Sequence, residues 1–231
     1  MIYVTSDWHG YPVDKIKQLF DKVNFGDDDF CYVLGDVIDR GEDGVRLLQW
    51  LMDQPNVELL MGNHEAMMLS CDWLFQKITD KSVRDLNMNK MQLMLNWQKN
   101  GAEPTLNAMK RLGNDERADI MDYLANLPLY IQISVGKKEY ILTHSGIANF
   151  DPDKDISDHA ADDLLWCRPK LSDKYYDDKT VIFGHTPTLA YGEMYKGKPI
   201  MTETWINVDS GAAAGLPPIL LRLDDMAVFR L

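Results

Sequence analysis

Short apolar runs rich in β-branched and aromatic residues recur along the chain, and most end in a polar cluster. "IYVT" runs into Ser6-Asp7-Trp8-His9-Gly10, "FCYVL" into Gly35-Asp36, and "VELLM" into Gly62-Asn63-His64-Glu65. Further on, "YILT" runs into His144-Ser145-Gly146, "VIF" into Gly184-His185-Thr186, and "TWINV" into Asp209-Ser210-Gly211. Between the first three runs the apolar period changes. Val13, Ile16, Leu19, Phe20 and Val23 share one helical face, as do Val45, Leu48, Leu51 and Met52. A β-α-β-α-β order predicts an α/β fold with short parallel strands. Ligands of such folds lie beyond the carboxyl ends of the strands, where all six polar clusters are expected along one sheet edge.

Residues 66 to 127 break the pattern. They are rich in Met, Leu, Asn and Lys and show helical spacing, which predicts two to four helices inserted as a cap. After Pro128, "LYIQISV" and "KEYILTH" flank Gly136-Lys137-Lys138 and predict a hairpin. "PILLRLDD" and "MAVFRL" predict a second one, and the acidic stretch 150 to 163 a surface loop leading into a short helix at "ADDLLWCR".

Composition narrows the class. A length of 231 residues suits one domain over 1–231 with a helical insertion at about 66–127. The net charge of −12 has the wrong sign for gripping nucleic acid through its phosphates. A bound metal can still reverse the field locally, so phosphorylated substrates are not excluded. No apolar run reaches membrane-spanning length, and "MIYVTSD" has no signal-peptide pattern. Cys31, Cys71 and Cys167 are scattered and odd in number, which argues against a disulfide frame or zinc ribbon. A cytoplasmic location, with neither membrane nor nucleic acid as partner, is the expectation.

The chemistry gathers in the clusters. Four of the five histidines, His9, His64, His144 and His185, follow predicted strands, and only His159 lies elsewhere, in the acidic loop. Each of the four stands within two positions of Asp, Asn or Gly. Such oxygen and nitrogen donors, without a thiolate, suit Mn²⁺, Fe, Zn²⁺ or Mg²⁺. Asp36 follows Asp7 by 29 residues and Asn63 follows Asp36 by 27, each gap the length of one β-α unit. The turn "GDVIDRG" is unusual in carrying Asp36, Asp39 and Arg40 between two glycines.

Asp7-Trp8-His9-Gly10, Gly35-Asp36-Val37-Ile38-Asp39-Arg40-Gly41 and Gly62-Asn63-His64-Glu65 together resemble the signature of the PPP family of metallophosphoesterases. His144-Ser145-Gly146 and Gly184-His185 are similar to that family's last two metal histidines, so the resemblance spans roughly residues 2 to 211. "NWQKNGA" and "LLWCRP" are similar to the bacterial and phage serine/threonine phosphatases of the bacteriophage lambda type. The resemblance implies a calcineurin-like β-sandwich flanked by helices and a metal-dependent phosphoprotein phosphatase. It implies two divalent ions, Mn first, with Fe, Zn or Mg as alternatives. Asp7, His9 and Asp36 would hold one ion; Asp36, Asn63, His144 and His185 would hold the other. Arg40, Arg168 and Asn63 would bind the phosphoryl group, and His64, oriented by Asp39, would protonate the leaving oxygen. A metal-bridging hydroxide would attack phosphorus directly. Phosphorylated proteins or peptides, and small aryl phosphates in vitro, are the implied substrates. The insertion is expected to choose among them rather than perform chemistry.

Ser6, Ile38 and Ser145 depart from the family pattern, and none removes a ligand. Two other functions compete. Symmetric dinucleoside tetraphosphate hydrolases share these motifs, and "THSGI" is close to their His-Ala-Gly-Ile. A catalytically inactive, metal-containing interaction module would have lost His64, Arg40 or a ligand, and none is lost. His64-Glu65-Ala66-Met67-Met68 is not a zincin motif, and "SGAAAG" lacks the lysine of a P-loop. The methionines of the insertion, with Trp73 and Trp97, read as helix packing.

Overall fold

A computed structural model describes residues 1–76 and 84–231. Strands β1 (Ile2–Thr5), β2 (Phe30–Val33) and β3 (Val57–Leu59) pair in parallel through the crossovers α1 (Val13–Lys22) and α2 (Gly44–Met52). On α1, Val13, Ile16, Leu19 and Phe20 are buried as their spacing predicts, while Val23 falls just past the helix end. On α2 the buried face is Val45, Leu47, Leu48 and Leu51; Met52, expected on that face, is 36% exposed. Gly44, Leu47, Leu48 and Leu51 follow the i, i+3, i+4, i+7 spacing of one face, which leaves Met52 at its margin.

The chain then enters α3 (Asn63–Leu69), a 3₁₀ turn at Asp72–Leu74, and the helices α4 (Met88–Lys99), α5 (Glu103–Arg111) and α6 (Asn114–Ala125). Part of the expected insertion, residues 77–83, lies outside the described residues. Trp97, Ala102, Met109, Ile120 and Leu124 of this region share one core with Leu47, Leu48 and Leu51 of α2 and with Val57 and Leu59 of β3. Burying a large apolar side chain contributes about 1.5–3 kcal/mol, so these helices are anchored to the first sheet, each through fewer buried residues than α1 or α2.

A second sheet follows. β4 (Tyr130–Val135) and β5 (Lys138–Thr143) form the expected hairpin around Gly136-Lys137, with Lys138 already in the strand. Helix α7 (Ala161–Leu165) leads to β6 (Lys179–Phe183), β7 (Ile200–Met201) and β8 (Trp205–Asn207). β9 (Ile219–Arg222) and β10 (Val228–Arg230) form the second hairpin, and β9 returns to pair antiparallel with β1. The orders are β10-β9-β1-β2-β3 and β4-β5-β6-β8-β7.

The sequence pattern suggested one sheet edge for all six clusters; the molecule divides them between two sheets, three parallel strand ends in each. Alternation explains the stacking. Val4, Leu34 and Leu60 pack with Tyr140, Leu142, Ile182, Ile206 and Val208 in a core between the sheets. The alternate residues Tyr3, Cys31 and Val33 face the helices, and Ile141, Val181, Phe183 and Trp205 face the outer side of the second sheet. Each central strand is therefore covered on both faces, which is why the strands read as near-continuous apolar runs. No helix among the described residues is long and apolar enough to cross a membrane.

Candidate dimetal site

The strand ends meet through their turns. Asp7 N–H donates to the Gly35 carbonyl, His9 N–H to Asp36 and Gly10 N–H to Val37, at 3.1, 2.9 and 2.8 Å. A Cβ on Gly10, whose φ is +63°, would stand 2.2 Å from the Gly41 oxygen, so only glycine lets the two turns touch. Six of the nine non-glycine residues with positive φ among the described residues are Asp7, His9, Asp36, Asp39, Arg40 and His185. Left-handed backbone costs on the order of 1–3 kcal/mol per residue and persists where its surroundings impose it. Around Asp36 a buried carboxylate does so. Glu65 accepts N–H bonds from Asp36, Val37, Ile38 and Gly62, at 2.8, 2.9, 3.3 and 3.1 Å. Sequence reasoning gave Glu65 no role, since an acidic residue in a first helical turn reads as solvated; here it never reaches solvent.

The expected ligands converge. His144 Nδ1 stands 2.7 Å from the Leu34 carbonyl oxygen, so Nδ1 carries the hydrogen and Nε2 keeps its lone pair. That lone pair faces Asn63 Oδ1 at 2.9 Å, His185 Nδ1 at 3.2 Å and Asp36 Oδ1 at 3.5 Å. Asn63 Oδ1 is also 2.9 Å from His185 Nδ1. Four acceptor atoms thus meet with at most the one imidazole hydrogen of His185 among them. A second group lies alongside. His9 Nδ1 faces the Ile38 carbonyl at 3.2 Å, leaving Nε2 bare at 3.6 Å from Asp36 Oδ2 and 3.8 Å from Asp7 Oδ1. Asp7 Oδ1 is buried without any hydrogen-bond partner.

Such acceptor-rich, donor-poor clusters fit cations. By geometry alone the groups that could hold one are His9, Asp36 and His64, and Asp36, His144 and His185, so Asp36 is common to both. His64 is already committed, with Nδ1 2.6 Å from Asp39 Oδ2 and Nε2 3.1 Å from Arg40 Nη2, whereas Asp7 Oδ1 is free. The donor set of the first cluster is therefore better completed by Asp7. Electrostatics agrees. Burial, then the charge of Asp209, pushes the Asp7 carboxyl well up; burial, then Asp7 and Glu65, does so for Asp36. Burial pulls His9 well below its ordinary value, His144 down to about 3 and His185 down to about 2. Neutral imidazoles beside crowded carboxylates favour a bound divalent ion.

Arg40 and Arg168 stand at the rim. Arg40 reaches His64, and Arg168 Nη1 is 3.5 Å from both the His185 carbonyl oxygen and Thr186 Oγ1. His159 stays apart, buried beside Asp163 at 3.9 Å. Two residues near the site were read only as helix residues or not singled out. Trp97 Nε1–H donates to Asp39 Oδ2 at 2.7 Å, and the Thr105 hydroxyl donates to Asp39 Oδ1 at 2.6 Å. The insertion therefore contacts Asp39 directly, through two side chains that sequence reasoning did not connect to it.

The calcineurin-like phosphoesterase family profile matches residues 1–213. The chain belongs to the calcineurin-like phosphoesterases. Members bind a dimetal centre, and the Asp and His clusters above are its possible ligands. This phosphoesterase is 26% identical, over 63% of its length, to a symmetrical bis(5'-nucleosyl)-tetraphosphatase of Actinobacillus pleuropneumoniae, and spans 45% of that relative. It is 25% identical over 91% of its length to serine/threonine-protein phosphatase 2 of Salmonella typhimurium, spanning 87% of it. Among solved structures, a candidate diadenosine tetraphosphatase superposes with TM-score 0.66 at 18% identity, covering 100% of this chain and 92% of that one. A cold-active protein-tyrosine phosphatase of a Shewanella species gives 0.56 at 17% identity, covering 100% and 80%. The phosphoesterase fold is common to all of these.

Proposed function

We propose that this phosphoesterase is a phosphomonoester hydrolase of the serine/threonine protein phosphatase type, in the bacterial and phage branch of lambda-like enzymes. The observation that carries the reading over a dinucleoside polyphosphate one is the lining of the groove beside Asn63. His64, held by Asp39 with Nε2 3.8 Å from Asp36 Oδ2, is placed to supply the proton that an alkoxide leaving group needs.

Asp7, His9 and Asp36 would hold one cation and Asp36, Asn63, His144 and His185 the other, with Mn²⁺ the expected activator in vitro. Two divalent ions bound there supply charge neutralisation of the ester and a water of lowered pKa. The remaining work falls to the chain. Arg40 and Arg168 hold phosphoryl oxygens with paired hydrogen bonds, and Asn63 adds a contact. Arg40 Nη2 stands 3.1 Å from His64 Nε2, so the guanidinium that would hold the phosphoryl group lies beside the atom that would protonate the leaving oxygen.

A groove of about 180 Å³ opens beside Asn63 between Met67, Leu93, Leu165 and Trp166, with Asp162 on its rim. Among the described residues no lysine or arginine lines it, which suits an apolar peptide flank and not a polyphosphate. The match to the Salmonella phosphatase over most of both chains supports the same reading.

The second reading is symmetrical dinucleoside tetraphosphate hydrolysis, supported by the Actinobacillus relative and by the diadenosine tetraphosphatase fold match. Phosphoserine and phosphothreonine peptides, a phosphotyrosine peptide and diadenosine tetraphosphate, assayed at equal metal occupancy, separate the two. The phosphoserine or phosphothreonine peptide is expected to give the highest kcat/KM. Diadenosine tetraphosphate ranking first, with release of two nucleoside diphosphates, would replace this function by the second.

A further inference from the structure

Asp39 is surrounded more completely than its one known neighbour, His64, requires. Its Oδ2 accepts from His64 Nδ1–H at 2.6 Å and from Trp97 Nε1–H at 2.7 Å. Its Oδ1 accepts from the Thr105 hydroxyl at 2.6 Å, and its own N–H donates back to Thr105 Oγ1 at 3.0 Å. Next along the chain, Arg40 N–H donates to the Gly101 carbonyl at 2.9 Å. Gly101 has φ +98°, and a Cβ there would stand 2.9 Å from Arg40 Cγ. Trp97, Asp39, His64 and Thr105 are all buried. A single segment, the end of α4 through the first turn of α5, thus fixes the orientation of Asp39 and braces the backbone of Arg40.

A packing role accounts for the burial of Trp97 but not for the aim of its N–H, nor for a threonine that gives and accepts hydrogen bonds with the same aspartate. A carboxylate free to rotate about its last torsion would let the His64 ring swing; two fixed donors, one on each oxygen, stop that rotation. We propose that Trp97 and Thr105 are positioning residues, which lock the Asp39 carboxylate and through it set the direction of His64 Nε2 toward the leaving oxygen. Trp97 and Thr105 do not touch the reacting atoms. The inference rests on the phosphomonoesterase reading for its kinetic consequence, but its geometric content stands apart from the substrate.

Thr105→Val keeps the shape and removes the hydroxyl; Thr105→Ser restores it; Trp97→Phe removes the indole N–H. The assay compares a phosphoserine peptide with p-nitrophenyl phosphate, whose leaving group hardly needs a proton. Loss of aim at the acid is expected to lower kcat on the peptide about tenfold and on the aryl ester less than about threefold. KM and metal content should hold, and the serine variant should recover most of the peptide rate. In parallel, the low-field ¹H NMR resonance of the His64 Nδ1–H is expected to shift or broaden in Thr105→Val and Trp97→Phe and to return in Thr105→Ser. Equal losses on both substrates, or an unmoved resonance in folded Thr105→Val, would overturn the proposal. If the wild-type protein fails to cleave either monoester, the phosphomonoesterase reading fails, and the resonance alone decides the positioning role.

Discussion

His64 Nδ1 lies 2.6 Å from Asp39 Oδ2, with both side chains shielded from solvent. The contact fixes the ring, and on the proposed function Nε2 is the atom that would protonate the leaving oxygen. His64→Asn removes that atom while leaving the cation cluster intact. Metal content should be retained. Turnover of an alkyl phosphate should fall by roughly 10²–10⁴, and that of p-nitrophenyl phosphate by much less. Equal losses on the two substrates would remove His64 from the acid role.

Asp36 is the residue on which both clusters depend, since its two oxygens face His144 and His9 at 3.5 and 3.6 Å. Asp36→Asn should lower metal stoichiometry and turnover together, measured by elemental analysis beside a phosphatase assay. Exhaustive chelation should abolish turnover of the unaltered protein, and Mn²⁺ should restore it. Full activity with metal content near zero would rule out a dimetal mechanism.

The parts of this molecule legible in its sequence are those decided locally. Asp7, His9, Asp36 and Asn63 follow short strands directly, so strand recognition places them at strand ends. His144 and His185 follow β5 and β6 in the same way. That these strands form a second sheet was hidden, because β5 and β6 pair with each other and with β4 and β8 rather than with β1 to β3, a long-range choice that leaves no local signal. Trp97 was legible as buried but not as a donor to Asp39, since helical spacing reports which side faces inward and not what a polar atom meets there. Thr105 and Glu65 were illegible for a related reason. A polar residue near a helix start reads as solvated unless the partner that buries it is known.

Glu65 provides a test of the strained turns. Glu65→Ala would leave the N–H groups of Asp36, Val37, Ile38 and Gly62 without their acceptor. At about 1–3 kcal/mol for each buried unpaired donor, the loss is comparable to the entire net stability of an ordinary domain. The variant should accumulate unfolded or melt far below the parent. Glu65→Gln keeps one oxygen acceptor and should lose less. A Glu65→Ala protein melting within a few degrees of the parent would show that the turns do not need this cradle.

Asp209 gives a signed pH dependence. Burial pushes its carboxyl up to about 7, against an unfolded value near 3.8. Between those values the folded chain binds a proton that the unfolded chain does not, so its contribution to stability grows as pH falls from 7 to 4 and is lost as pH rises. Asp209→Asn removes the term and retains an oxygen for the Gly211 N–H. In metal-free protein, the stability of the parent relative to this variant should decline from pH 4 to pH 7, by as much as a few kcal/mol. Denaturant melts at several pH values measure it. A constant difference across that range, or one of opposite slope, would contradict the assignment.

The groove beside Asn63 should govern which esters are accepted. Its walls come from α3 and α4 on one side and from Leu165 and Trp166 on the other, and its rim carries Asp162. We expect this face to favour exposed phosphopeptides and aryl phosphates over dinucleoside polyphosphates, and the net charge of −12 to turn away duplex DNA and RNA. Leu93→Lys places a cation on the groove wall, where a polyphosphate entering the groove would meet it. One partly solvated ion pair contributes up to about 1 kcal/mol, or roughly fivefold in affinity. The ratio of kcat/KM for diadenosine tetraphosphate to that for a phosphoserine peptide should rise by about that factor, while metal content stays fixed. Trp166→Ala should lower kcat/KM for peptides with an apolar flank more than for p-nitrophenyl phosphate. The decisive measurement is the full substrate panel on the parent and both variants at matched metal occupancy. Substrate ratios unmoved by either change, or nucleic acid emerging as the best substrate, would place specificity elsewhere in the molecule.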